Sequence, residues 1–431
     1  MLEDGLWLVN AKILFQQELG RIVYVFSSLS CPIRLPAARH GRIPDSGFPG
    51  VSVPIWPDII GIMLRTALIG YPQVGKTSLF HLMTSTREEG RPSHGRLEAA
   101  IGVARVPDTR LDVLTAMFKP RKRVPATVEF ADIPGRPSGS GAEALLDVAA
   151  YRNADALVHV LRAFSDPAIA HAAVSIDPRR DARTMEDELI LADLAVVEKR
   201  IERLGKDLRK ARTSELEREQ DILVRCKAQL ESGAPLRAMG LGHDDRRRLR
   251  GFQFLSAKPL LLVVNVDEAD LTGDVGAAAG LDGVVTRYDL GSVASGASTG
   301  VVAVCAKIEL EIAQLEAADA AAFLADLGLR ESGLDRVIRA SYDLLGYISF
   351  FTVGEDECRA WSIPLGLPAQ AAAGEIHTDL SRGFIRAEVV TYERLTSRGT
   401  MQACRERGEV RLEGKEYVVL DGDIMNVRFA T

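Results

Sequence analysis

Past residue 65, short apolar runs recur at 66–69, 127–131, 156–161, 260–264 and 301–305, with turns or helical patterns between them. Runs of this length bounded by turns predict buried strands. Strands that alternate with helices predict a mainly parallel α/β sheet, with ligands at the strand C-terminal ends.

Between the third and fourth runs the period changes. Leu191, Leu194, Val197, Ile201, Leu204 and Leu208 recur in steps of three and four, and Leu216, Leu223, Cys226 and Leu230 repeat the rhythm. Lys, Arg and Glu fill the intervening positions, so residues 184–252 predict an inserted antiparallel helical hairpin turning near 211–214. The stripe is core and implies no cofactor. From 344 to 431 the pattern changes again, to β-like runs at 360–364, 384–390, 416–420 and 424–429. Asp421-Gly422-Asp423 between the last two reads as a hairpin turn, and the segment as a separate small α+β module.

Residues 1–62 show neither helical periodicity nor paired turns. Met63 directly precedes the first predicted strand and is the expected biological start. The preceding residues are then upstream sequence or an extension without chemistry. The α/β domain is expected over 63–343.

Composition changes this picture little. The 431 residues are 47% hydrophobic and 26% charged with a net charge of -6, ordinary for a globular protein and too acidic to coat nucleic acid by bulk charge. DNA is not an expected partner. The five cysteines form no C-x-x-C pair and the seven histidines no clustered ligand set, which suits a reducing cytoplasm. No run approaches the ~18 apolar residues of a membrane helix, and Glu3 and Asp4 stand where a signal peptide needs positive charge. A cytoplasmic protein is expected.

The chemistry begins at Gly70-Tyr71-Pro72-Gln73-Val74-Gly75-Lys76-Thr77-Ser78, which satisfies G-x-x-x-x-G-K-[ST] between a predicted strand and a helix start. Glycines let successive N–H groups converge on phosphate oxygens at a helix N-terminus. Lys76 then neutralises β- and γ-phosphate charge, and Thr77 ligates Mg²⁺. Asp132-Ile133-Pro134-Gly135 follows a strand, placing a carboxylate for Mg²⁺ and a glycine N–H for a γ-phosphate.

Asn265-Val266-Asp267-Glu268 caps the next strand, where a GTPase would carry N-K-x-D. Glu268 is longer than the aspartate that pairs with guanine, and Val266 replaces the lysine, so guanine selectivity should relax. Cys305-Ala306-Lys307 fits the loop that closes over the base edge.

The order of these motifs, the hairpin and the terminal module resemble the YchF / Obg-like ATPase family of translation-factor-related P-loop proteins. Matching residues are Pro107-Asp108 with Arg110-Leu111-Asp112, Glu129-Phe130-Ala131-Asp132-Ile133, and Asn265 with Glu268. Further matches are Arg359-Ala360-Trp361-Ser362-Ile363-Pro364, Ala372-Ala373-Gly374-Glu375-Ile376-His377-Thr378-Asp379 and Arg382-Gly383-Phe384-Ile385-Arg386-Ala387. The last run resembles a TGS domain, a β-grasp module. The resemblance spans 63–431. It implies a P-loop NTPase sheet with a hairpin insertion, Mg²⁺-dependent binding and slow hydrolysis of ATP, GTP accepted less well, and association with the ribosome.

Two departures bear on turnover. Arg96 falls where the family's first switch carries a Mg²⁺-reaching threonine, and the glycine-rich run after Gly135 is half kept. A nucleotide-binding regulatory module with negligible hydrolysis, or a GTP-preferring GTPase, therefore stays open as an alternative. The basic runs 119–123 and 246–250, and Arg382 with Arg386, read as solvated faces or as contacts to ribosomal RNA. His377 matches a family position but reads as structural.

Overall fold

The computed structural model describes residues 65–84, 100–133, 151–169, 175–272, 290 and 298–430. The extension 1–62, the first-switch stretch 93–99 and the run 135–141 lie outside the described residues.

The first sheet comprises β1 (Arg65–Ile69), β2 (Ala100–Arg105), β4 (Thr127–Asp132), β5 (Ala156–Arg162), β6 (Leu260–Asn265) and β7 (Thr299–Val304), in the order β2-β4-β1-β5-β6-β7. All neighbours are parallel except β2, which runs antiparallel to β4. Side chains alternate between faces with a period of two. Leu68, Val158, Val160, Leu261 and Val263 join one core, while Ala67, Ile69, Leu157, Leu161, Leu262 and Val264 join the other. Burial on both faces explains why these strands read as unbroken apolar runs.

The register brings the functional strand ends to one edge. Leu68 pairs with Asp132, Ile69 with His159, Arg162 with Asn265 and Asn265 with Val304. Along this edge α1 (Lys76–Thr84) leaves the phosphate loop, and α6 (Glu268–Thr272) and α7 (Ala306–Ile312) follow β6 and β7. Elsewhere in this part of the chain lie α2 (Thr109–Phe118), α5 (His243–Leu249), α8 (Ala317–Asp326) and α9 (Gly333–Leu344).

The insertion is a helical hairpin of α3 (Pro178–Lys210) and α4 (Ser214–Glu231). Asp177 caps α3 by accepting from the Arg180 N–H, and Pro178 occupies the first turn, where its missing N–H costs nothing. Thr213 caps α4. Val197, Leu204, Leu223, Cys226 and Leu230 form the buried seam, with Leu194, Ile201 and Leu216 partly buried. Leu191, expected in that stripe, is 59% exposed, and Ile190 takes the inward position. The helix turns 100° per residue, so a neighbouring leucine cannot serve the same face.

The second sheet runs β11-β10-β12-β8-β9-β3, built from β8 (Tyr347–Thr352), β9 (Glu357–Pro364), β10 (Phe384–Thr391), β11 (Arg411–Glu413), β12 (Asp423–Phe429) and β3 (Lys122–Val124). Its helices are α10 (Ala369–Ile376), α11 (Thr378–Arg382), α12 (Tyr392–Arg398) and α13 (Met401–Glu406). One face packs on α10 through Ala369, Ala372 and Ala373. The other contributes Phe351, Cys358, Val390 and Ile424 to the core that also holds Leu111 and Leu114 of α2. Strand β3 comes from the part of the chain that builds the first sheet and pairs parallel to β9, Arg123 opposite Cys358.

The hairpin expected at 416–429 does not form. Residues 416–420 make only an isolated bridge, Val418 to Pro368, while β12 pairs with β10 and β8. Backbone bonds explain the difference: Tyr417 O accepts from Ala369 N at 2.7 Å and Val419 N donates to Leu367 O at 3.1 Å. The segment is committed to the entry of α10.

Candidate functional site

The phosphate loop folds as it does because of three backbone positions. Gly70 (φ 139°) and Gly75 (φ 99°) adopt angles that a side chain resists. A Cβ on Gly70 would stand 2.5 Å from Val160 O, and one on Gly75 2.6 Å from Asn265 Nδ2. Gln73 takes the left-handed region at φ 62°, a cost concentrated where the chain must curl. Helix α1 then starts at Lys76, with Leu79 N donating to Gly75 O at 3.0 Å. Its free N–H groups give the loop a positive end.

Lys76 is 7% exposed, and its ammonium donates to Gly70 O at 2.7 Å and Tyr71 O at 2.6 Å. Burial lowers its pKa to about 8, opposed by the charge of Asp132. The Thr77 hydroxyl donates to Asp132 Oδ2 at 2.7 Å. The other oxygen, Asp132 Oδ1, is buried without a hydrogen-bond partner among the described residues. An acceptor left open beside a hydroxyl fits a hard divalent cation, which keeps waters and phosphate oxygens as its remaining ligands. No cluster of three or more His, Cys, Asp or Glu among the described residues offers a metal cage.

The corner expected to meet the base is organised by Asn265, which is 3% exposed. Its Nδ2 donates to Val74 O at 3.1 Å, and its Oδ1 accepts from Ala306 N at 3.1 Å. One side chain thus ties the phosphate loop to the segment entering α7. Glu268, the first residue of α6, is exposed, as are Ser78 of α1 and Lys307 of α7. Val266 and Cys305 are only 2% exposed and belong to the apolar core. Tyr71 and Val74 are likewise buried, Pro72 is half-buried and Gln73 exposed. Gly135 lies outside the described residues.

Two features were missed by sequence reasoning. His159 sits beneath Gly70, 1% exposed, and its Nε2 has no hydrogen-bond partner among the described residues. Burial and then the Lys76 charge push its pKa down to about 3, so it is neutral. A histidine within a strand carries no motif, and only the register with Ile69 reveals its place. The second feature is the loop after β5. Arg162, 2% exposed, donates to the carbonyls of Phe164, Asp166 and Ile169 at 3.2, 3.1 and 2.9 Å. Its guanidinium stacks on the Phe164 ring at 4.6 Å. Ala163 N and Phe164 N both donate to Asn265 O, and Ser165 N donates to Asp267 Oδ2. The loop is therefore fastened to the base corner, and Asp267 is occupied with holding it.

Comparison with known proteins covers most of the chain. Residues 65–200 match the MMR_HSR1 family, described as "50S ribosome-binding GTPase", and residues 347–430 match YchF-GTPase_C, described as "Protein of unknown function (DUF933)". The "Ribosome-binding ATPase YchF" of Bacillus subtilis is 42% identical over 373 residues, covering 85% of this chain and 99% of the relative. The protein of that name from Escherichia coli O157:H7 is 36% identical with the same coverage. The solved "Structure of the Schizosaccharomyces pombe YchF GTPase" superposes with a TM-score of 0.73 at 29% identity, covering 85% of this chain and 98% of that one. With a P-loop nucleotide-binding fold, the matching terminal domain and these relatives, the chain belongs to the YchF family.

Proposed function

We propose that this protein is a slow, Mg²⁺-dependent ATPase, taking GTP less well, whose nucleotide state governs its association with the ribosome. The observation that carries the reading is the 2.7 Å contact between Thr77 and Asp132 beside a buried Lys76. In this reading the N–H groups of residues 70–78 and the Lys76 ammonium hold the β- and γ-phosphates. Thr77 and Asp132 hold Mg²⁺, and Gly135 contacts the γ-phosphate. Mg²⁺ supplies charge neutralisation between the phosphates. Asn265 with Glu268, and the 305–307 loop, frame the base. Residues 63–343 act as the nucleotide-binding domain, with 184–252 as its insertion and 344–431 as a TGS-like module.

Support for ATP and for the ribosome comes from relatives named "Ribosome-binding ATPase YchF" that match almost their full length. Titration with fluorescent ATP and GTP analogues, with and without Mg²⁺, and phosphate release with and without ribosomes test it. ATP affinity that ignores Mg²⁺ would remove the Thr77–Asp132 assignment. Tight binding without measurable release would leave a regulatory module in its place.

A further inference from the structure

The second sheet presents an exposed basic surface that nucleotide binding does not use. On the face of β10 and β12 that carries Val390 and Ile424 into the shared core, the alternation continues outward to Arg386, Glu388, Asn426 and Arg428. Arg386 stands directly opposite Arg428, and Leu412 of β11 directly opposite Glu388. Like charges in direct cross-strand register repel, so this pairing costs stability unless an anion relieves it.

Glu388 supplies only part of that relief. Its side chain is 5% exposed and pairs with both Arg428 and Arg405 of α13, the latter at 3.1 Å. Burial works to raise the Glu388 pKa, but the two arginines outweigh it and hold the carboxyl below its ordinary range. Arg386 has no hydrogen bond or ion pair among the described residues. Two guanidiniums therefore share one carboxylate and Arg386 adds a third charge beside them, while Leu412 (58% exposed) and the exposed Asn426 leave the surface open.

The other basic runs differ. Arg121, Lys122 and Arg123 each meet a carboxylate, Asp356, Glu357 and Asp112 respectively. Arg246–Arg248 share α5 with Asp244 and Asp245, and Asp245 also pairs with Arg225. Among the described basic runs, the β10–β12 face combines surplus positive charge with a preorganised arrangement of arginine forks.

We infer that the Arg386–Arg405–Arg428 face is a docking surface for the phosphate backbone of RNA. Guanidinium forks match phosphate oxygens in pairs, and a charge fixed in place by Glu388 loses less freedom on binding. In a chain of net charge -6 the attraction is local rather than global, which restricts contact to this face. The inference rests on the ribosome reading above, and it names the part of the chain that touches the RNA.

The test uses the full chain with protein-free ribosomal RNA and, separately, with intact ribosomes. Arg386→Glu should weaken binding to the bare RNA by about tenfold at low salt and lower the salt dependence by roughly one phosphate contact. Arg386→Lys should retain an intermediate affinity, since it keeps the charge and loses the fork. Binding of a fluorescent ATP analogue should stay native in both variants, which reports an intact fold. Equal RNA affinity and salt dependence for native protein and Arg386→Glu would overturn the surface. So would native protein that ignores bare RNA yet sediments with ribosomes in an Arg386-dependent way, because the partner would then be an acidic protein. Native protein that binds bare RNA but never sediments with ribosomes would count against the proposed function and leave this surface standing.

Discussion

Arg110 and Asp421 meet in a bidentate ion pair at 2.7 and 3.1 Å, although 311 positions separate them in the chain. Arg110 also bonds Asp108, the residue that caps α2, and lies over the Phe351 ring at 5.2 Å. The Pro107–Asp112 signature is thus the latch that holds α2 against the second sheet. Strand β3 and the core shared by Leu114 and Cys358 make the same connection.

Asp421→Asn should weaken this latch without dismantling it, since Asp421 also accepts from Ser349 N at 3.0 Å and an amide oxygen can still do so. With Asp421 half exposed, solvent screening limits the loss to about 1 kcal/mol. Arg110→Ala should cost more, about 2 kcal/mol, because packing on Phe351 and the bond to Asp108 go as well. Urea melts of the three proteins check the order. Equal midpoints would show that the pair contributes nothing to holding the module.

How far the sequence announced all this depends on whether a local rule governed each part. The phosphate loop was fully legible, because Gly70, Gly75, Lys76 and Thr77 obey a backbone requirement that admits few other residues. The strands β1, β4, β5, β6 and β7 were legible because burial on both faces leaves an unbroken apolar run. Strand β2 was missed, since its edge position exposes Ile101 and Val103 and alternates around Gly102. Strand β3 was hidden in a basic run, because only a partner 235 positions away makes Lys122–Val124 a strand. His159 and Arg162 were invisible for a similar reason: their environments are created by tertiary register.

Replacing Lys76 with Met separates binding from stability. Nucleotide affinity should fall by about a hundredfold, as charge-assisted bonds to the phosphates are lost. Stability without nucleotide should move the other way. The unfolded chain holds the Lys76 proton up to the ordinary value of 10.5, but the folded chain only up to about 8. Across that window the unfolded state binds more protons, so folding gains stability as pH rises, and below it the penalty is complete. Lys76→Met should therefore melt higher than the native protein at pH 7, with the advantage fading by pH 10. A lower melting temperature at pH 7 would mean that the bonds to Gly70 and Tyr71 outweigh the burial of the charge.

His159 gives an acid limb of the same sign at lower pH. Its folded pKa is about 3 against an ordinary 6.5, so between these values the unfolded chain takes up a proton that the fold refuses. Stability is then lost as pH falls through that range. His159→Leu removes the group, whose Nε2 has no hydrogen-bond partner among the described residues. The variant should unfold at lower pH than the native protein in an acid titration followed by circular dichroism. Coincident acid transitions would assign the limb to other groups.

The proposed determinant of base choice is Glu268. It is the first residue of α6 and exposed, whereas neighbouring Asp267 accepts from Ser165 N and supplies the carbonyl that starts the helix. Asp267 is engaged by the loop after β5, whereas Glu268 is exposed and one methylene longer than a guanine-pairing aspartate. ATP should bind at least as well as GTP in the native chain. Glu268→Asp should shift preference towards GTP by about 1 kcal/mol, the scale of one recovered hydrogen bond. Adding Val266→Lys should not extend the gain. Val266 is buried in the apolar core, so an ammonium there would be desolvated, and the double variant should melt lower than the single one. Competition binding of ATP against GTP, with melts on the same samples, decides both points. A native preference for GTP of about tenfold, equivalent to 1.4 kcal/mol, would defeat the ATPase reading and assign base recognition to groups other than Glu268.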